Sequence, residues 1–168
     1  INNSNLAKKI LSWYDNNKRI LPWRIGIKSK KKQYYRILSE FMLQQTQVKT
    51  VIPYFNRFVK KIPSLKSLSN SKEKTVLKLW EGLGYYNRAK NLHKTSKILV
   101  KKYNSYIPNT VEELKELPGI GDYTANVLLA LVYNQPRIGL DGNVKRVLFR
   151  LFNLEIKNSE NLFKTKRN

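Results

Sequence analysis

Leu117-Pro118-Gly119-Ile120-Gly121 divides a short helical segment, 110–116, from a longer apolar one over 122–133. Proline does not continue a helix interior and glycine reaches backbone conformations closed to other residues, so this stretch is a tight turn joining two helices. The segment before it opens Thr110-Val111-Glu112-Glu113, the sequence of a capping box, in which Thr110 accepts from the amide three residues on and Glu113 reaches back. The glycines also permit close approach of another molecule to the backbone. They leave the first amides of the following helix pointing outward, where the helix dipole favours an anion such as a phosphate. An ordinary turn between packed helices is the alternative.

Away from this hairpin, period-2 alternation is sustained nowhere and apolar residues recur at helical spacing, which predicts an all-α chain. The candidate helices are 4–17, 33–43, 47–61, 72–81, 85–104, 110–116, 122–133 and 142–152, with breaks at Leu21-Pro22, Ile62-Pro63, Gly82-Leu83-Gly84, Ile107-Pro108 and Gln135-Pro136. Lys28-Ser29-Lys30-Lys31-Lys32 reads as a basic loop. Ser159 to Lys164 looks like the start of a further helix, and a chain beginning with Ile1 and stopping at Asn168 reads as a fragment of a longer product.

The 168 residues carry 33 Lys plus Arg against 11 Asp plus Glu, a formal charge of +22. Such a surface suits a polyanion, most simply nucleic acid, through release of condensed counterions. Codon bias offers a rival explanation, because Lys, Asn and Ile make up 55 of the residues. The absence of cysteine removes disulfides, thiol nucleophiles and thiolate-held metals, and a lone His93 cannot form a multi-histidine site. No apolar run approaches the roughly 18 residues of a membrane span, which leaves an intracellular chain with no membrane partner as the expectation.

Three further stretches carry candidate chemistry. Asp141, in Leu140-Asp141-Gly142-Asn143-Val144-Lys145-Arg146, precedes a helix and suits an N-cap. Capping is compatible with catalysis, since it fixes the direction of the carboxylate. Glu40 shares a helix face with Arg36 and Leu43, while Ile37, Leu38 and Phe41 form the apolar stripe. It is either a boundary residue paired with Arg36 or a partly desolvated carboxyl whose raised pKa fits a general acid. The amides of Gln44-Gln45-Thr46-Gln47 suit hydrogen bonding to base edges. Gly82-Leu83-Gly84-Tyr85-Tyr86-Asn87-Arg88-Ala89 offers a glycine bend that can present a wedge between base steps, or simply pack the start of the next helix.

Taken together and in order, Leu38 to Val48, Gly82 to Ala89, Leu117 to Gly121 and Leu140 to Arg146 resemble the MutY-type adenine DNA glycosylases of the helix-hairpin-helix superfamily. The resemblance runs from about Trp13 to the end. It implies a six-helix domain over 25–134, with 1–24 and 135–168 belonging to a second, C-terminally incomplete helical lobe. It implies base-excision repair by a monomer acting on double-stranded DNA, removing adenine mispaired with 8-oxoguanine or guanine, in the bacterial cytoplasm or in a nucleus or organelle. Glu40 then corresponds to the general acid and Asp141 to the carboxylate that stabilises the cationic sugar, with Tyr123 and Asn143 beside them in the catalytic set. Trp23, Arg24, Leu43 and Val48 correspond to pocket walls. Gln44, Gln45, Thr46, Leu83, Tyr85, Arg88, Gly119 and Gly121 correspond to DNA contacts.

The chemistry asked of such a site matches those residue types. Adenine leaves readily only once a ring nitrogen is protonated, and its departure puts positive charge on the sugar, so an acid and an ionised carboxylate are both needed, as in glycoside hydrolysis. Strand-cleaving relatives such as endonuclease III carry a Lys where this chain has Tyr123, and tyrosine cannot form the Schiff base of a lyase. The resemblance therefore implies a monofunctional glycosylase. It also implies a [4Fe–4S] cluster in the complete family member, held by a four-cysteine motif that these residues lack. The competing readings are an endonuclease III-like pyrimidine glycosylase and a non-catalytic helix-hairpin-helix DNA-binding fragment.

Overall fold

Tyr34, Ile37, Leu38, Phe41 and Met42 recur at intervals of three and four residues, so one side of their helix is continuously apolar and is fully buried. A computed structural model describes residues 3–24 and 30–153 and makes this helix, α2 (Lys30–Leu43), the centre of the molecule. Among the described residues there are eight other helices: α1 (Asn3–Asn17), α3 (Val48–Lys61), α4 (Leu65–Asn70), α5 (Glu73–Trp80), α6 (Asn87–Lys102), α7 (Val111–Lys115), α8 (Asp122–Tyr133) and α9 (Gly142–Phe152). No strand occurs among those residues, as the helical spacing predicts.

Helices α3, α6 and α8 pack around α2, α5 lies on α3 and α6, α4 on α6, and α7 on α8. α3 contributes Val51, Phe55 and Phe58 from one face, and Phe58 meets Trp80 of α5 edge to face, ring centres 6.3 Å apart. The buried Tyr34 hydroxyl donates to the Ile62 carbonyl at 2.6 Å, which ties α2 to the end of α3. The hairpin Leu117 to Gly121 joins α7 to α8, and Lys115 pairs with Asp122 across it at 2.7 Å.

Several expectations are corrected. α4 falls in the gap after Ile62-Pro63; it is one and a half turns long and is held by a capping box that Ser64 and Ser67 form, too short and serine-rich to show periodicity. Lys30, Lys31 and Lys32 belong to α2 rather than to a loop, with the Lys30 ammonium over the Tyr106 ring and that of Lys31 over Tyr35. At Thr110 half of the expected box forms: its hydroxyl accepts from the Glu113 amide at 3.3 Å but donates to the Glu113 carboxylate at 2.8 Å. Lys28, Ser29 and the helix start at Ser159 lie outside the described residues. No helix of the described residues is long and apolar enough to cross a membrane.

Candidate active site

The second half of α2 with the turn after it, one side of α8, the segments 19–24 and 85–88 and the N-terminus of α9 surround an open cleft of about 1180 Å³. Glu40 enters it from α2 and Asp141 from the start of α9, two acids about a hundred residues apart in the chain. Glu40 is half-buried in the cleft wall, and its desolvation there pushes its pKa up to about 7 against the opposing pull of the Arg36 and Arg24 guanidinium groups. No Arg36–Glu40 ion pair forms; the Arg36 Nε–H is buried without a partner.

Asp141 is the N-cap of α9, as its place in the sequence predicts: its Oδ1 accepts from the Val144 amide at 2.7 Å. Gly139 fixes the approach. A Cβ at this residue would stand 2.3 Å from Val127 Cγ2 and 2.9 Å from the Tyr123 ring, so the backbone leading to Asp141 rests directly on α8. Tyr123 lines the cleft from α8, and its pKa is raised first by burial and then by the charges of Glu40 and Asp141. Its hydroxyl therefore lies within the field of both carboxyl groups.

The other expected pocket residues gather here. Trp23 is buried against Phe55, ring centres 5.2 Å apart, and Arg24, Leu43, Val48 and Asn143 line the cleft with it. Gln44, Gln45, Thr46 and Tyr85 line its mouth. Gln44 Nε2 donates to the Gly119 carbonyl at 3.1 Å and so couples the mouth to the hairpin. At Gly119, φ is +82°, and a Cβ would lie 2.8 Å from the Phe41 ring, two independent reasons for glycine. Gly121 caps α8 without any side-chain bond to the helix amides, leaving that end facing out. Gln45 and Tyr85 hold positive φ, 56° and 48°, and both are exposed.

Two residues do not stand where the DNA-contact expectation puts them. Leu83 is buried in the core at 6% exposure, and Arg88 at 7%. The Arg88 guanidinium donates to the carbonyls of Phe41, Met42, Gln44, Leu83, Gly84 and Tyr85, fastening the turn after α2 to the glycine bend. Its donors are consumed by backbone, so it positions Gln44 and Tyr85 instead of reaching outward. Sequence reading also missed Gly139 and the cleft-lining Arg19, and it weighed Arg36 only as an ion-pair partner of Glu40. For Gly139 a signal existed, a glycine two residues before the candidate acid, but only its contact with Tyr123 shows its use.

The cluster that the resemblance implies finds no ligands here. [4Fe–4S] clusters are held by cysteine thiolates, the chain has no cysteine, and no group of three or more potential metal ligands occurs among the described residues.

Residues 38–167 match the HhH-GPD superfamily of base excision DNA repair proteins. An adenine DNA glycosylase of Buchnera aphidicola subsp. Baizongia pistaciae (strain Bp) is 49% identical over 150 residues, 89% of this chain and 42% of that protein. The adenine DNA glycosylase of Homo sapiens is 41% identical over 147 residues, 84% of this chain and 27% of that protein. The chain thus spans less than half the length of these curated relatives. Among solved structures, a thermostable thymine-DNA glycosylase superposes with a TM-score of 0.76 at 22% identity, over 86% of this chain and 65% of the other. An endonuclease III in a non-covalent complex with DNA gives 0.73 at 21%, over 92% and 71%. At such identity these two speak for the fold, which is the helical one the sequence predicts. The chain belongs to the HhH-GPD superfamily of base excision DNA repair proteins.

Proposed function

We propose that the chain carries the catalytic cleft of a monofunctional adenine DNA glycosylase, which hydrolyses the N-glycosidic bond of adenine mispaired with 8-oxoguanine or guanine in double-stranded DNA. The observation that carries this reading is Glu40, its pKa near 7 inside a cleft that also receives the capped carboxylate of Asp141. At neutral pH a substantial fraction of Glu40 holds a proton, which it transfers to a ring nitrogen of the extruded base. The glycosidic bond then breaks, its electron pair leaving with adenine. The positive charge left on the sugar is stabilised by the Asp141 carboxylate until water adds at the anomeric carbon and releases a proton.

Tyr123 supplies no amine for an imine, so the abasic product is released without strand cleavage through that position. Trp23, Leu43 and Val48 wall the base, and Arg24 and Asn143 border it. Gln44, Gln45, Thr46 and the exposed Tyr85 hold the lesion strand at the mouth, and the amides around Gly119 and Gly121 hold a phosphate. One chain provides both carboxyls, so a monomer suffices. Residues 1–24 and 135–168 act as parts of a second lobe, and the protein works wherever the cell keeps its DNA.

The test is single-turnover release of adenine from an adenine:8-oxoguanine duplex. Glu40→Gln keeps shape and loses the transferable proton, so excision is expected to fall by a factor on the order of 10² to 10⁴ while duplex binding persists. Excision within threefold of the parent would remove Glu40 from this role.

A further inference from the structure

Two shallow grooves adjoin the cleft in series. Tyr86 lines both the cleft and a groove formed with Lys74, Leu77, Lys78 and Glu81. Lys78 and Glu81 in turn line a second groove that Arg57, Lys60 and Lys61 complete. We propose that this path, from Tyr86 over α5 to the C-terminal end of α3, is where one arm of the duplex lies, with Lys74, Lys78, Lys60 and Lys61 meeting the phosphates of a single strand. The proposal rests on the DNA-processing reading above and adds the direction in which the duplex leaves the cleft.

The four lysines are exposed, and none has a hydrogen bond or ion pair among the described residues, whereas Lys18, Lys102 and Lys115 each have an acidic partner. Arg57 is different: its guanidinium donates to the Leu79 carbonyl at 3.0 Å and lies over the Tyr54 ring, so it stiffens the floor and is not counted as a phosphate contact. Glu81 is the acid of the path, leaving it strongly positive. Lysines in the last turn of a helix also favour the helix dipole, which accounts for Lys60, Lys61 and Lys78 singly. It accounts neither for Lys74 in the first turn of α5 nor for the end-to-end joining of the grooves.

Geometry sets the reach. α3 begins at the cleft with Val48 and has 14 residues, so Lys60 and Lys61 lie about 20 Å farther out. At about 3.4 Å per base pair that distance is roughly six base pairs. One arm of the duplex must therefore extend at least about that far from the lesion to use the whole path.

Fluorescence anisotropy of the full chain on a duplex of about 24 base pairs with a central adenine:8-oxoguanine pair, against duplexes with either arm cut to about four, decides this without any variant. Cutting one arm is expected to weaken binding at least tenfold near 100 mM salt, and cutting the other to matter much less. Lys60→Ala, Lys61→Ala and Lys78→Ala together are expected to reproduce the loss on the long duplex and lower the slope of log K against log salt by about 2 to 3. The variant should also be indifferent to the sensitive arm. A matched triple variant on α6, Lys94→Ala, Lys97→Ala and Lys101→Ala, reports the effect of net charge alone. Equal losses in the two variants, or affinity indifferent to both arms, overturn the path while tight binding of the mispair duplex keeps the glycosylase reading. Failure of the parent to bind any duplex overturns both.

Discussion

Helices α2 to α8 and helices α1 and α9 have the same kind of sequence and different fates. On α2, α3 and α6 the apolar face is buried; α9 carries Val144, Val147, Leu148, Leu151 and Phe152 on comparable spacing, yet none of its residues is buried. On α1, Ile10, Leu11, Trp13 and Tyr14 are all exposed. Periodicity thus marks a face that can be covered, and burial depends on what stands opposite. The two candidate catalytic acids straddle the border. Glu40 comes from the packed side, where burial raises its pKa, and Asp141 from the cap of the uncovered α9, where its own helix and Gly139 hold it.

The sharpest break of this contrast is a pair of equal truncations. Phe58→Ala in the packed block is expected to cost about 3 to 5 kcal/mol, whereas Phe152→Ala, at a side chain 42% exposed, should stay within about 1 kcal/mol. Urea unfolding of both variants checks it, and similar losses would show that α9 is held as firmly as the core. Arg88→Met comes next. It removes a buried guanidinium bonded to six carbonyls and strands those oxygens, for an expected loss on the order of 3 kcal/mol. The same variant should disturb the amide resonances of Gln44 and Tyr85, and a phosphate-binding residue would instead leave melting unchanged and weaken DNA binding.

Gly139→Ala probes the border itself. The new methyl has no room against Val127 and Tyr123, so the segment carrying Asp141 must shift. A displacement of about 1 Å is expected to lower single-turnover excision on the order of a hundredfold, with stability falling by about 1 to 3 kcal/mol. Unchanged excision would mean that Asp141 is not positioned through this contact. The smallest effect is electrostatic. Arg36→Met removes a positive charge that favours ionised Glu40, so the Glu40 midpoint should rise, and an NMR titration that shows it falling would contradict the assignment of causes.

Much of this border was legible in the sequence. The hairpin, the helices with sustained apolar spacing and the Asp141 cap are local patterns, each decided by a few adjacent residues. Glu40 was legible as an alternative, because edge placement on an apolar helix suggests either a salt bridge or a desolvated acid, and packing chose the second. Arg88, Leu83 and Gly139 were not legible in that way. Arg88 earns its burial from carbonyls more than forty residues upstream as well as from the bend beside it, and Gly139 from a tyrosine on α8. α4 was invisible because six residues give no period to read.

Desolvation of the half-buried Glu40 carboxyl is the central claim, and its ¹³C shift followed over pH tests it most directly. The midpoint is expected at about 7. Since the unfolded chain releases this proton near 4.3, folding takes one up between the two values, and stability falls as pH rises through that window. Glu40→Gln should remove that part of the slope. A midpoint near 4.3, with no change in the pH dependence of stability on making Glu40→Gln, would show a solvated boundary residue in place of a general acid.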